Sequence, residues 1–288
     1  MCDIFILKIN SISRLHKQET RVTMVKDTIL LKLGGSVITY KHETPPKVNT
    51  ETVRRISKEI QNVSNPMIFV LGGGAHGHQA AYSYGYGNPR TSLRQLLSGI
   101  PKIRHNMSEL SFCIESLFNE EGVSSVVISP FSIALLEGSK ITSFSLDTIE
   151  RTIESGHNVI THGDVCFDTQ LGAAILSGDT IMAYLAKELR IDKILIGTDV
   201  DGVLDSNPSI NPNAKIIQVI NQDNKDTILK SIGPSSATDV TGGMAKKVGD
   251  LLSLSGLGIE TIIFNLSVPG RLQKILNGDS VTCTKVLP

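Results

Sequence analysis

Tryptophan is absent from the 288-residue sequence and aromatic residues amount to only 5% of it, so any local cluster of rings stands out. A charge imbalance is lacking as well, because Lys+Arg and Asp+Glu stand at 28 each. No global field recruits nucleic acid or an anionic membrane, and basic character has to be local. The four cysteines, Cys2, Cys113, Cys166 and Cys283, include no C-x-x-C pair. That removes a zinc or disulfide framework and fits a reduced, cytoplasmic protein. No apolar run approaches the ~18 residues of a membrane span. Ile4–Leu7 is too short for a signal-peptide core and has no basic segment before it. Without secretion, the glycosylation patterns at Asn62, Asn106 and Asn265 are chance matches. Neither an internal repeat nor a low-complexity segment is found. What the chain does have is 40% hydrophobic residues, enough for a sizeable core in one large or two small lobes.

The most informative stretch is Gly72-Gly73-Gly74-Ala75-His76-Gly77-His78, directly after the apolar run Met67-Ile68-Phe69-Val70-Leu71. The run predicts a buried strand, and Gln79-Ala80-Ala81-Tyr82 can begin a helix. Four glycines strip side chains from the turn, so backbone N–H groups can approach a ligand closely. A helix N-terminus there adds a favourable field for an anion. The stretch predicts an anion cradle with His78 at its lip. Gly72, Gly74 and Gly77 satisfy G-x-G-x-x-G, yet the acid expected about 20 positions on is missing from Ser92–Ser98. A Walker A loop fails outright, because Gly77 is followed by His78-Gln79. A cradle for the phosphate of a small substrate is the reading the whole chain favours.

Ile29-Leu30-Leu31-Lys32-Leu33 predicts a strand broken by Gly34-Gly35-Ser36. A lysine near the carboxyl end of a buried strand, beside a Gly-Gly turn, sits as a phosphate ligand would; the alternative is an edge-strand lysine with its head in water. Lys41 alone is an ordinary solvated lysine. The spacing of Val53, Ile56 and Ile60 predicts a helix over 50–61 with Thr50 or Thr52 near its cap. Strand, loop, helix, strand in this order argues for a parallel sheet with helices on its faces.

Met107, Leu110, Ile114, Leu117 and Phe118 recur at helical spacing after the rings Tyr82, Tyr84 and Tyr86. Such a stripe is usually core, but its position after the cradle makes this region the best candidate wall for the non-phosphate part of a substrate. Further strands are predicted over 123–130, 158–161, 193–197 and 261–265, and helices over 149–154, 180–189 and 269–276. Asp179 stands just before the second of these helices and can be a simple N-cap. Asp199-Val200-Asp201-Gly202 resembles part of a calcium loop, but Gly197 and Pro208 occupy positions that need acids. His76-x-His78 lacks further clustered ligands, so no protein-held metal is expected. Thr241-Gly242-Gly243-Met244 with Lys247 forms a second Gly-Gly turn running into a helix. Residues 1–23 read as an extension, disordered or artefactual.

Six separated pieces stand in a telling order: Lys32–Ser36, Gly72–His78, Gly163-Asp164, Ser177-Gly178-Asp179, Thr198–Val203 and Thr241–Lys247. Together they resemble the amino acid kinase superfamily over roughly Lys26 to the C-terminus. Gly77-His78 and Ile38-Thr39-x-Lys41 are similar to its isopentenyl phosphate kinase branch, although Leu71, His76 and Gln79 depart from that pattern. The resemblance implies an α/β fold, an open αβα sandwich with a mostly parallel central sheet and two lobes. One continuous domain would hold an acceptor-binding lobe over 24–176 and a nucleotide-binding lobe over 177–288. The implied reaction is ATP-dependent phosphorylation of isopentenyl phosphate, with Mg2+ bound to ATP, in a homodimer without nucleic-acid or membrane partners. Related acceptors, a phosphonate or an acetylglutamate-like carboxylate reached by Arg90, Arg94 or Arg104, stay open, as does a non-catalytic nucleotide sensor.

Carried over by motif, Lys32 and Lys41 would neutralise the transferring phosphoryl group, and Asp179 would orient the lysines. Gly73 and Gly74 would hold phosphate through N–H groups, His78 would hydrogen-bond the acceptor phosphate, and Gly163 and Asp164 would position the acceptor. Gly34, Gly35, Ser36, Gly74, Thr198, Asp199, Asp201 and Gly202 would line the ATP site with Lys32 and Asp179, and Gly243 and Lys247 would hold its phosphates. The chemistry argues the same way. A phosphate monoester has its second pKa near 6, so its attacking oxygen is already ionised at neutral pH and needs no base. The obstacle is repulsion between two anions, which cationic clamps and positioning overcome.

Overall fold

Successive side chains of the central strands alternate between two apolar faces, so the sheet is covered on both sides. The computed structural model describes residues 27–41, 43–206, 211, 213–232, 249, 252, 254–256 and 258–288. In chain order the elements are β1 (Ile29–Leu33), α1 (Gly35–Ile38), α2 (Thr50–Ile60), β2 (Met67–Leu71), α3 (Gly74–Ser83), α4 (Leu93–Glu120), β3 (Ser125–Val127), α5 (Pro130–Ile133), β4 (Ala134–Glu137), β5 (Lys140–Phe144) and α6 (Asp147–Glu154). They continue with β6 (Asn158–His162), β7 (Asp164–Asp168), β8 (Gly172–Leu176), α7 (Gly178–Glu188), β9 (Lys193–Thr198), β10 (Val219–Ile220), α8 (Lys225–Ile232), β11 (Glu260–Asn265), α9 (Arg271–Leu276) and β12 (Cys283–Val286). The eight-stranded sheet has the order β10-β12-β11-β9-β1-β2-β6-β3, parallel except where β12 runs against β11. A second, four-stranded sheet has the order β5-β4-β7-β8.

Leu30, Val70, Val159, Ile196 and Ile263 face one layer with Ile149, Ile181 and Leu185 of α6 and α7. Leu31, Phe69, Ile160, Leu195 and Phe264 face the other with Ile56, Leu110, Ile114 and Leu272 of α2, α4 and α9. Helices on both faces of a mostly parallel sheet give the αβα sandwich. Lys32 shares the parity of Leu30, so it points to the α7 side, whereas Leu33 and Leu71 point to the α4 side.

Local readings differ in several places. The cap of α2 is Asn49, whose side chain accepts from the Thr52 amide at 3.2 Å, in place of Thr50 or Thr52. The strand expected over 123–130 contracts to Ser125–Val127, because β3 is the sheet edge and Pro130 starts α5. The helix after the cradle begins at Gly74, not Gln79, which puts His78 inside its second turn. Ser177 caps α7 by accepting from the Thr180 amide at 3.1 Å, leaving Asp179 free of capping duty. The small sheet is an addition to the sequence reading. Its loops are gathered by Asp168, whose carboxylate accepts from the backbone amides of Gly138, Ser139, Gln170 and Leu171 at 2.7–3.1 Å. The expected 1–23 extension, Gly243 and Lys247 lie outside the described residues.

Candidate active site

The carboxyl ends of β9, β1, β2 and β6 are tied to one another by single backbone bonds beyond the sheet ladder. Gly34 N donates to Gly197 O at 2.9 Å, Gly72 N to Leu33 O at 2.9 Å and Gly163 N to Leu71 O at 3.1 Å. Outside these ends, where the chain switches direction between β2 and β9, an open α/β sheet offers its ligand crevice. Here the crevice is a cavity of about 460 Å³. Its lining combines Lys32, Lys41, Ser36 and the glycines of both turns with the apolar Ala81, Ile103, Met107 and Ile175. Met107 Sδ stands against the cradle, 3.1 Å from where a Cβ at Gly77 would lie.

Two glycine turns interlock at its floor. A side chain at Gly35 would put its Cβ 2.3 Å from Gly74 N and 2.5 Å from Gly74 Cα. Gly74 itself has φ +48°, in the left-handed region that glycine enters without penalty. Thr39 fastens the pair: its hydroxyl donates to Gly35 O at 2.7 Å and accepts from Ala75 N at 3.2 Å. The α3 N-terminus therefore opens toward the Gly34-Gly35 turn.

Lys32 is 8% exposed, and its Nζ donates to Asp179 Oδ1 across 147 residues of sequence. The buried strand delivers the lysine and the first turn of α7 delivers the acid, so the ammonium head is held inside the cavity and not in bulk water. Lys41 stands at the rim with Nζ 2.8 Å from Asp199 Oδ2. Burial pushes the Asp199 carboxyl upward, but hydrogen bonds from Lys41 and Ser36 outweigh it and hold the group below its ordinary value. His78 is exposed and lines the same cavity as Lys32.

Thus Lys32, Gly34, Gly35, Ser36, Lys41, Gly73, Gly74, His78, Gly163, Asp164, Asp179 and Thr198 converge on one cavity. Asp199 joins through Lys41. Asp201 and Gly202 stand outside its wall: Asp201 pairs with Arg271 at 2.5 Å, and a Cβ at Gly202 would meet Thr284 Oγ1 at 2.5 Å. The tyrosine cluster is not part of the apolar wall. Tyr82 is 80% exposed, and the buried Tyr86 donates its hydroxyl to Leu96 O at 2.7 Å. From the stripe on α4, only Met107 faces the cavity; Leu110, Ile114, Leu117 and Phe118 are core. His76 is buried, its pKa lowered by desolvation, and its carbonyl accepts from Asn106 Nδ2 at 3.0 Å.

Sequence reasoning named Arg104 and Asp164 separately but missed their pairing, and missed His162 beside them. Arg104 of α4 donates to Asp164 Oδ2, and His162 Nδ1 lies 3.5 Å from the same oxygen. Burial pushes the Asp164 carboxyl up to about 7 against the opposing pull of Arg104. Burial pushes His162 down to about 4, although its Nδ1–H donates to Gly163 O at 3.1 Å. No local pattern signals these partners, since Arg104 and Asp164 are separated by 60 residues.

Among the described residues no group of three or more His, Cys, Asp or Glu side chains could hold a metal ion. The carboxylates beside the two cavity lysines, Asp179 and Asp199, are each engaged by one of them. This donor set fits a magnesium ion carried by a nucleotide's phosphates better than one caged by protein.

The family model described as "Amino acid kinase family" matches residues 27–265. The isopentenyl phosphate kinase of Methanothermobacter thermautotrophicus is 32% identical over 264 residues, covering 90% of this chain and 98% of its own. That of Methanocaldococcus jannaschii is 31% identical over 260 residues, covering 87% and 95%. A solved structure described as "X-ray structures of isopentenyl phosphate kinase" superposes with a TM-score of 0.77 at 28% identity, over 90% of this chain and 99% of that one. With the family model, the relatives and the fold in agreement, the chain belongs to the amino acid kinase family and is a phosphotransferase of that family, which uses ATP.

Proposed function

We propose that this phosphotransferase moves the γ-phosphoryl group of ATP onto isopentenyl phosphate, giving isopentenyl diphosphate and ADP. The observation that carries the reading is the cavity's two kinds of lining: cationic and glycine-built around Lys32, which Asp179 holds, and apolar at Ile103, Met107 and Ile175. A prenyl monophosphate has the matching two kinds of surface, one dianionic head and one hydrocarbon tail. The names of the relatives point to the same acceptor.

In this reading the acceptor phosphate rests on the Gly73-Gly74 amides and the α3 N-terminus, with His78 donating to one of its oxygens. Its ionised oxygen attacks the γ-phosphorus and the bond to the ADP oxygen breaks, so no side chain has to take a proton. Lys32 and Lys41 offset the charge gathered between the two phosphates, and Asp179 keeps Lys32 in line. Magnesium, arriving with ATP, neutralises the nucleotide phosphates. The nucleotide would extend past Thr198 and Asp199, with Gly243 and Lys247 at its phosphates. A carboxylate acceptor fares worse. Arg104 is committed to Asp164, and Arg90 and Arg94 lie outside the cavity wall.

A coupled ADP-release assay with isopentenyl phosphate, dimethylallyl phosphate, fosfomycin and acetylglutamate tests the proposal. The expected result is turnover with the prenyl monophosphates and kcat/KM at least about tenfold lower for the others, a difference of about 1.4 kcal/mol in transition-state binding. Preferred turnover of acetylglutamate or fosfomycin would overturn it, and nucleotide binding without turnover of any acceptor would favour a sensor.

A further inference from the structure

In the wall of the cavity stands a fully buried carboxylate, Asp164, with 0% of its side chain exposed. A carboxylate in the wall of a pocket that takes anions works against binding unless something cancels it. One oxygen accepts from the neighbouring Val165 amide at 2.9 Å, which fixes the Gly163-Asp164 turn between β6 and β7. The other oxygen is met by the Arg104 guanidinium, whose Cζ also stands 5.1 Å over the Phe131 ring. Arg104 is itself largely buried, and it does not line the cavity, so it cannot touch a ligand there directly. What it can do is act through two neighbours. On its own helix the preceding residue, Ile103, and the residue one turn on, Met107, form the apolar wall. Across the pair, Gly163 packs against the start of α7: a Cβ there would lie 3.0 Å from Gly178 N, one residue before Asp179.

We infer that Arg104 is a positioning residue of the acceptor pocket: it neutralises Asp164 and so ties the wall helix α4 to the turn that abuts the N-terminus of α7. The inference rests on the acceptor reading above. A bidentate-capable, planar cation stacked on a ring suits this duty, since it fixes direction as well as charge. A neutral pair of similar volume, Asn keeping the bond from the Val165 amide and Met filling the space of the arginine stem, removes both buried charges together and so costs less stability than breaking the pair. The pocket would then lose its register without the fold being lost.

The test compares wild type with Arg104→Met, Asp164→Asn/Arg104→Met and Arg104→Lys, by ADP release with isopentenyl phosphate and ATP varied separately and by thermal melting. The single Arg104→Met variant strands the buried Asp164 carboxyl, which must keep its charge without a partner or take up a proton, and is expected to melt lower. The double variant removes that carboxyl, so it keeps a melting temperature nearer wild type and carries the decisive measurement. The expected result is an acceptor KM raised about tenfold or more in the double variant, with the ATP KM within about twofold of wild type. Arg104→Lys keeps the charge but not the fork, and is expected to fall between the two. If the double variant shows the wild-type acceptor KM, or if both KM values rise together, the positioning role is overturned. Absence of turnover by wild type with any monophosphate is a different outcome: it removes the functional reading and this inference with it.

Discussion

Replacing Gly35 with alanine attacks the feature that aligns the two glycine turns. The added methyl would lie 2.3 Å from Gly74 N and 2.5 Å from its Cα, and 3.1 Å from Gly72 O. All three neighbours are backbone, so no side chain can swing aside. Restoring ordinary van der Waals spacing of about 3.5 Å requires the turns to part by about 1 Å. Forced separations of that kind cost about 1–3 kcal/mol, and about 2 kcal/mol lowers Tm by about 4–8 °C in a chain near this size. The kinetic effect is larger, because about 1 Å of misplacement at a reacting centre costs about 100-fold in rate. Gly77→Ala is the matched comparison, since its methyl meets only Met107 Sδ at 3.1 Å, the end of a flexible side chain. Alanine inside a helix gains about 0.5–1 kcal/mol over glycine. Melting curves and kcat/KM for both variants decide the matter. A Gly35→Ala protein with wild-type Tm and kcat/KM would refute the interlock as the element that sets the site.

Other outcomes follow from the same geometry. His78→Ala is expected to raise the acceptor KM and lower kcat/KM while leaving the ATP KM unchanged in steady-state kinetics; unaltered kinetics would make His78 structural. Asp168→Ala removes the acceptor of four backbone amides and should cost about 3 kcal/mol, measured by urea unfolding at pH 7. Burial raises the Asp168 carboxyl, but those four bonds prevail and its pKa is lowered. Its contribution is present above the unfolded value and fades as pH falls through the folded one, so the gap between wild type and variant should close in acid. His162 is buried as the neutral ring with its pKa lowered to about 4. Its contribution is complete above the unfolded value of about 6.5 and is lost as pH falls from there toward the folded value. A His162→Asn variant should therefore show a shallower fall in stability over that interval in pH-dependent unfolding.

Much of this molecule is legible in its sequence, for reasons of local chemistry. Met67–Leu71 and Lys193–Gly197 are apolar runs ended by glycine, and both are central strands. Lys32 interrupts such a run, and that is why it could be assigned a task before any partner was visible. The small sheet escaped notice because its strands carry exposed apolar residues such as Leu135, Phe167 and Ile175, without a clean polar alternation. β12 is four residues long and includes Lys285, so it has the look of a loop. Asp179 had two readings, a helix cap and a partner for the lysines, and the first falls away because Ser177 holds the cap position. The Arg104–Asp164 pair needed the tertiary fold, since only the meeting of α4 with β7 brings the two groups together. Tyr82, Tyr84 and Tyr86 misled in the other direction: their rings are conspicuous in a chain poor in aromatics, yet none lines the cavity.

The division of labour between main chain and side chains at the crevice has an evolutionary consequence. The two glycine turns are cut from peptide groups at strand ends, so their mutual distance is inherited with the sheet itself and is nearly immune to single substitutions that keep the glycines. Ile103 and Met107 line the same cavity from one helix. A lineage can exchange Ile103 to reshape the space without touching those turns, whereas Met107, packed against Gly73 and Gly77, cannot change size without the cradle feeling it.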